Sequence, residues 1–222
     1  MNILGFFQRL GRALQLPIAV LPVAALLLRF GQPDLLNVAF IAQAGGAIFD
    51  NLALIFAIGV ASSWSKDSAG AAALAGAVGY FVLTKAMVTI NPEINMGVLA
   101  GIITGLVGGA AYNRWSDIKL PDFLSFFGGK RFVPIATGFF CLVLAAIFGY
   151  VWPPVQHAIH AGGEWIVSAG ALGSGIFGFI NRLLIPTGLH HALNNVFWFD
   201  TIGLGDLSHF WAGETSADVT WS

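Results

Sequence analysis

The sequence predicts an all-α integral membrane protein, a multi-span helical bundle that carries a broken or re-entrant substrate segment. Three observations predict it. Of 222 residues, 57% are hydrophobic and 9% charged, with a mean hydropathy of +0.79, well outside the range of soluble domains. Apolar runs of about 20 residues, the length that crosses a ~30 Å hydrocarbon core, recur along the chain. Polar groups then crowd into one stretch, Arg182-Leu-Leu-Ile-Pro-Thr-Gly-Leu-His-His-Ala-Leu-Asn-Asn195, where Pro-Thr-Gly interrupts any helix. Such backbone is tolerated at membrane depth only inside protein or against a water-filled cavity.

The first span is expected at residues 14–30, preceded by Arg9 and Arg12. No small-residue cleavage site follows, so it reads as a retained span rather than a removed signal peptide. Further spans are expected at 38–62, 69–88, 96–112, 132–152 and 164–180, followed by a less regular segment over 183–199. The breaks fall at turn-forming groups: Gly31-Gln-Pro-Asp34, residues 62–67, Ile90-Asn-Pro-Glu-Ile-Asn95 and Trp152-Pro-Pro-Val155. Gly101, Gly105 and Gly109 are spaced four apart, which lays small residues along one helix face for close packing. Cys141 is the single cysteine and sits in an apolar run, which leaves no disulfide framework and no paired thiols for metal or redox chemistry.

Charge orients the spans. Arg9, Arg12, Lys66, Arg114, Lys119, Lys130 and Arg131 all fall on one side if every candidate crosses, while the other connections carry Asp34, Glu93, His157 and His160. The positive-inside rule then puts the N-terminus in the cytoplasm. Arg29 and Lys85 are exceptions near span ends and can snorkel. A net charge of −1 gives no reason to expect a nucleic-acid partner. Nothing in the chain calls for a cofactor.

Ionisable and amide groups inside a membrane mark a substrate pathway by default. His190, His191, Thr187, Asn194 and Asn195 offer donors and acceptors without full charge, which suits a sugar-sized polyol. Arg182 is either the cytoplasmic end of the sixth span or a forked donor to a hydroxyl or phosphate. Asp50, beside Asn51, is expected to face the bundle interior, partnered by Arg12, Lys66 or Lys85. His157, His160 and Glu164 share a helical spacing that could bind metal, but a wet outer loop is the better reading and no metal site is assigned.

Five motifs occur in order: Leu16-Pro-Ile-Ala-Val-Leu-Pro-Val-Ala24, Lys66-Asp-Ser-Ala-Gly70, Asn95-Met-Gly-Val-Leu-Ala-Gly101, Lys119-Leu-Pro-Asp-Phe-Leu-Ser-Phe-Phe-Gly-Gly-Lys-Arg-Phe-Val-Pro-Ile135 and Leu184-Ile-Pro-Thr-Gly-Leu-His-His-Ala192. Together they resemble the membrane (C) domain of sugar-specific enzyme II of the bacterial phosphotransferase system, glucose superfamily. Asn194-Asn-Val-Phe-Trp-Phe-Asp200 and His209-Phe-Trp-Ala-Gly213 are most similar to the N-acetylglucosamine-specific branch. Glucose and maltose branches share most of the rest.

The resemblance implies a homodimer in the bacterial inner membrane, in which residues 1–155 form scaffold spans and 156–222 begin the substrate-binding unit. It implies uptake of N-acetylglucosamine coupled to phosphorylation by cytoplasmic B and A domains, from a phosphocysteine charged by a phosphohistidine. Arg182 and His190 match family residues near the sugar, Lys66 matches a nearby lysine, and Arg12 a nearby arginine. The family's downstream Gly-Ile-Thr-Glu-Pro motif and its phosphocysteine have no counterpart here, so no catalytic residue is assigned. The chain is therefore expected to be the first part of a longer protein, inactive alone. The competing class is an ion-coupled secondary transporter, for which Asp50 is the only candidate coupling carboxylate.

Overall fold

The computed structural model describes residues 3–33 and 35–184, and these are helical with no strand. α1 (Ile3–Ile18) and α2 (Leu21–Phe30) make the first crossing together. Pro17 ends the run of α1 and Pro22 sits in the first turn of α2, where a missing N–H costs nothing. α3 (Ala39–Asp50) and α4 (Leu52–Trp64) return, but they meet at 57°, so the expected second span is bent in its middle. Asn51 explains the bend locally: its Nδ2 donates to the Ala47 carbonyl at 2.8 Å, a side-chain bond that competes with helix continuation.

α5 (Gly70–Ile90) and α6 (Gly97–Trp115) form a hairpin. Its turn is set by Gly97 at φ +46, a conformation favouring glycine, and by Asn95 Oδ1, which accepts the Gly97 N–H at 2.9 Å. Two short 3-10 turns, Asp122–Phe127 and Gly129–Arg131, lead into α7 (Phe132–Ser168) and then α8 (Gly170–Leu184).

Here the structure corrects the expected boundaries. α7 carries on through Pro153 and Pro154, where a turn was expected, and is 37 residues long in all. The lost backbone donors are offset by anchoring on both sides. The Trp152 indole donates to Gln156 Oε1 at 3.1 Å and to the Asn95 carbonyl at 3.3 Å, and Gln156 Nε2 donates to the Glu93 carbonyl at 3.0 Å. The chain breaks instead at Gly170, φ +54, so the expected span over 164–180 is divided between α7 and α8.

Three described helices are long and apolar enough to cross a membrane, four if the bent α3–α4 pair is one span. α6 falls short in apolarity because of its glycines and its Asn113-Arg114 end. It nonetheless returns the chain to the end where α5 began: the Lys66 amide, just ahead of α5, donates to Asn113 Oδ1 at 2.7 Å. α6 therefore traverses the same thickness as α5.

α6 is the central helix, packed on α4, α5 and α7. A Cβ on Gly101 would overlap the Ala53 carbonyl, one on Gly105 would lie 2.7 Å from Val60 Cβ, and one on Gly109 2.7 Å from Trp64 Cβ. The small-residue stripe thus faces α4 and sets its distance. Leu10, Leu14, Phe56, Val60 and Ile102 fill the α1–α4–α6 seam, while Leu83, Met87, Cys141 and Ala145 fill the α5–α6–α7 seam.

Candidate functional site

Arg9, Lys66 and Lys130 gather at one end of the bundle, and the network starts with an unsatisfied helix end. The last carbonyl of α4, on Trp64, has no intrahelical donor. Arg9 Nη2 donates to it at 2.6 Å while the guanidinium lies 4.3 Å over the Trp64 ring, and Asn113 Nδ2 donates to it at 3.0 Å. Lys66 Nζ then pairs with Asp117 Oδ2 at 2.9 Å, and Tyr112 Oη donates to Asp67 Oδ2 at 2.8 Å. Lys130 approaches the same carboxylate at 3.8 Å. Four segments (α1, the α4–α5 turn, the end of α6 and the 3-10 turn Gly129–Arg131 ahead of α7) are pinned to one another here.

Lys66 is therefore not a free loop charge. Its hydrogen bond to Asp117 holds the ammonium above the ordinary lysine value. Lys66 and the Ser116 hydroxyl together hold the Asp117 carboxyl below its ordinary range. Arg12 is exposed on α1, and Arg182 is exposed in the last turn of α8, the span-end position the sequence allowed for it. No hydrogen bond or ion pair among the described residues joins Lys66, Arg12 and Arg182. His190, His191, Thr187, Asn194 and Asn195, with the expected re-entrant segment, lie outside the described residues.

A second polar feature sits at the α3–α4 bend. A cavity of about 410 Å³ is lined by Phe49, Asp50, Tyr80, Asn95 and Gly97, among others. Asp50 is exposed to this hollow and none of Arg12, Lys66 or Lys85 pairs with it, which corrects the expected ion pair: Lys66 is engaged by Asp117 on another segment. A carboxylate, a phenol and an aromatic ring in a space this size can hold hydroxyl groups and stack on an apolar sugar face. Tyr80 lines this cavity without any signal in the sequence, where it is one tyrosine in an apolar run. Asn95 was legible only as a turn residue.

The match over the chain as a whole decides its kinship. Residues 11–221 match the family model described as phosphotransferase system, EIIC. The chain belongs to that family. This EIIC chain is 87% identical, over 231 aligned positions, to the PTS system N-acetylglucosamine-specific EIICBA component of Escherichia coli (strain K12), covering 100% of the chain and 36% of that relative. It is 52% identical to the N-acetylglucosamine-specific EIICB component of Bacillus subtilis (strain 168), covering 96% of the chain and 48% of the relative. It is 40% identical to the glucose-specific EIICBA component of Staphylococcus carnosus (strain TM300), covering 88% of the chain and 34% of the relative. The EIIC chain thus spans between a third and a half of the length of these curated relatives. The helical, strand-free architecture of its described residues, with apolar helices long enough to cross a membrane, is what the motifs led one to expect.

Proposed function

We propose that the intact protein takes up N-acetylglucosamine and delivers it as the 6-phosphate, with this chain supplying the membrane part of a phosphoenolpyruvate-dependent phosphotransferase system. The observation that carries the reading is its identity to an N-acetylglucosamine-specific relative, more than twice that to a glucose-specific one. Glucose or maltose specificity is the neighbouring alternative.

In this reading residues 1–155 are scaffold spans and 156–222 open the substrate-binding unit. His190 hydrogen-bonds the sugar and helps aim its 6-hydroxyl at a phosphocysteine of a cytoplasmic carrier domain. Arg182 supports the same geometry with forked donors. Thr187, His191, Asn194 and Asn195 complete the polar lining, with Lys66 and Arg12 close to the sugar. The basic end of the bundle faces the cytoplasm of a bacterium, the protein sits in the inner membrane, and two copies pair.

A second reading draws on Asp50, a carboxylate at a broken span beside a cavity, the setting in which ion-coupled transporters bind their ion. Uptake of labelled N-acetylglucosamine by the intact protein separates the two. Accumulation as sugar phosphate, dependent on phosphoenolpyruvate and indifferent to a protonophore, is expected. Free sugar that accumulates and is lost with the proton gradient would replace the phosphotransferase reading by the ion-coupled one.

A further inference from the structure

We propose that the 3-10 segment Asp122–Phe127 is an interfacial anchor that docks on the anionic headgroups of the lipid bilayer. Phe123 is 83% exposed, Phe126 67%, Phe127 44% and Leu124 38%. A 3-10 helix has three residues per turn, so Phe123 and Phe126 stand on one face, Leu124 and Phe127 on the next, and Ser125 on the third. Four large apolar side chains on a six-residue connection are stable in contact with an acyl boundary and unstable in bulk water.

The surroundings identify the occupant. Trp115, stacked on Phe140 with ring centroids 5.4 Å apart, sits at the same end and suits the membrane–water boundary. The apolar surface continues onto α7, where Ile135, Phe139 and Leu142 are 50%, 64% and 54% exposed at helical spacing. A bilayer covers both surfaces without interruption. Arg131 completes the device: its guanidinium lies 4.6 Å over the Phe126 ring and donates to the Phe126 carbonyl at 3.1 Å. That fixes a cation at the rim of the aromatic face with further N–H groups for a phosphate. Lys119 enters the segment exposed and Asp122, also exposed, opens it. Asp117 is already engaged by Lys66, so Lys119 and Arg131 against Asp122 leave one positive charge in excess. The positive surplus fits a phosphatidylglycerol-type headgroup.

A depth measurement on the full chain tests this, with Phe123→Cys and Ser125→Cys each carrying a nitroxide label and the buried Cys141 left in place. Vesicles are symmetric, either phosphatidylglycerol with phosphatidylethanolamine or phosphatidylcholine alone, so the outcome does not depend on which face is cytoplasmic. In the anionic vesicles the label at 123 should be open to oxygen and shielded from an aqueous nickel chelate, while the label at 125 stays aqueous. With Arg131→Gln the ratio of shielded to open label at 123 should fall about five-fold, the equivalent of ~1 kcal/mol per basic side chain near an anionic surface, and in phosphatidylcholine, where Lys119 loses its attraction too, it should fall further. The proposal is overturned if the label at 123 is open to the chelate in anionic vesicles, or if 123 and 125 read the same depth. Shielding that ignores both lipid charge and Arg131→Gln also overturns it. Contact-range spin exchange between labels at 123 would do so too, by seating a second copy on the apolar face.

Discussion

Two positions, His190 and Gly101, test the residue scale. If His190 hydrogen-bonds the sugar as proposed, replacing it by Ala in the intact protein removes that bond and orphans its partner. Such a loss is about 0.5–1.5 kcal/mol for a neutral bond and more for a buried orphan. Uptake should therefore fall about ten-fold or beyond, by the factor of ten per 1.4 kcal/mol. His191→Ala should do less, because neighbouring side chains on any regular element point apart. Sugar uptake and sugar-phosphate yield measured on both variants decide which histidine is used. Gly101 tests packing. Elsewhere in a helix Gly→Ala stabilises by up to about 1 kcal/mol. At Gly101 the new methyl meets the Ala53 carbonyl, whereas at Gly138 it lies 3.8 Å from Val78 Cγ1. Gly101→Ala should lower stability by about 1–3 kcal/mol and Gly138→Ala should not, as read by thermal unfolding in lipid nanodiscs.

At the scale of elements, the α5–α6 turn is held to α7 by Gln156, which bonds the Asn95 amide at 3.0 Å and the Glu93 carbonyl at 3.0 Å. Gln156→Ala leaves both to water, since both are exposed. It should therefore reduce stability by only about 1 kcal/mol, while the Asn95 amide exchanges its hydrogen measurably faster. The Lys66–Asp117 pair has a defined pH window. Asp117 is held low, so its contribution is present above the usual carboxylate pKa and fades as pH falls through its own lower value. Lys66 is held high, so its contribution is complete below the usual lysine pKa and fades as pH rises through its own higher value. The contact should persist from about pH 4 to about pH 10, seen as a constant Lys66 Nζ resonance in labelled protein. Both side chains are half or more exposed, so Asp117→Asn should barely move the melting temperature.

The proposed topology orients the whole molecule by charge, and the structure gathers Arg9, Lys66 and Lys130 into one network. Ser125 lies exposed at that end. A cysteine placed there should react with an impermeant maleimide only after the inner face is opened. Labelling from the outer face of intact cells would invert the topology proposed here.

The membrane class, the helical content and the kinship were determined by sequence alone, because they rest on hydropathy and on ordered motifs that need no coordinates. Gly101, Gly105 and Gly109 were readable as a packing face for the same reason: periodicity survives folding. Other features belonged to the tertiary structure. Pro153 and Pro154 predict a break, yet Trp152 and Gln156 reach a loop some sixty residues away in sequence and hold the helix through them. Asp50 had three plausible cations by sequence, but Lys66 was already claimed by Asp117 across the α6 end, which leaves Asp50 facing a cavity. Ion pairs and helix breaks are contests between local preference and long-range partners, and only the packed chain shows which partner arrives.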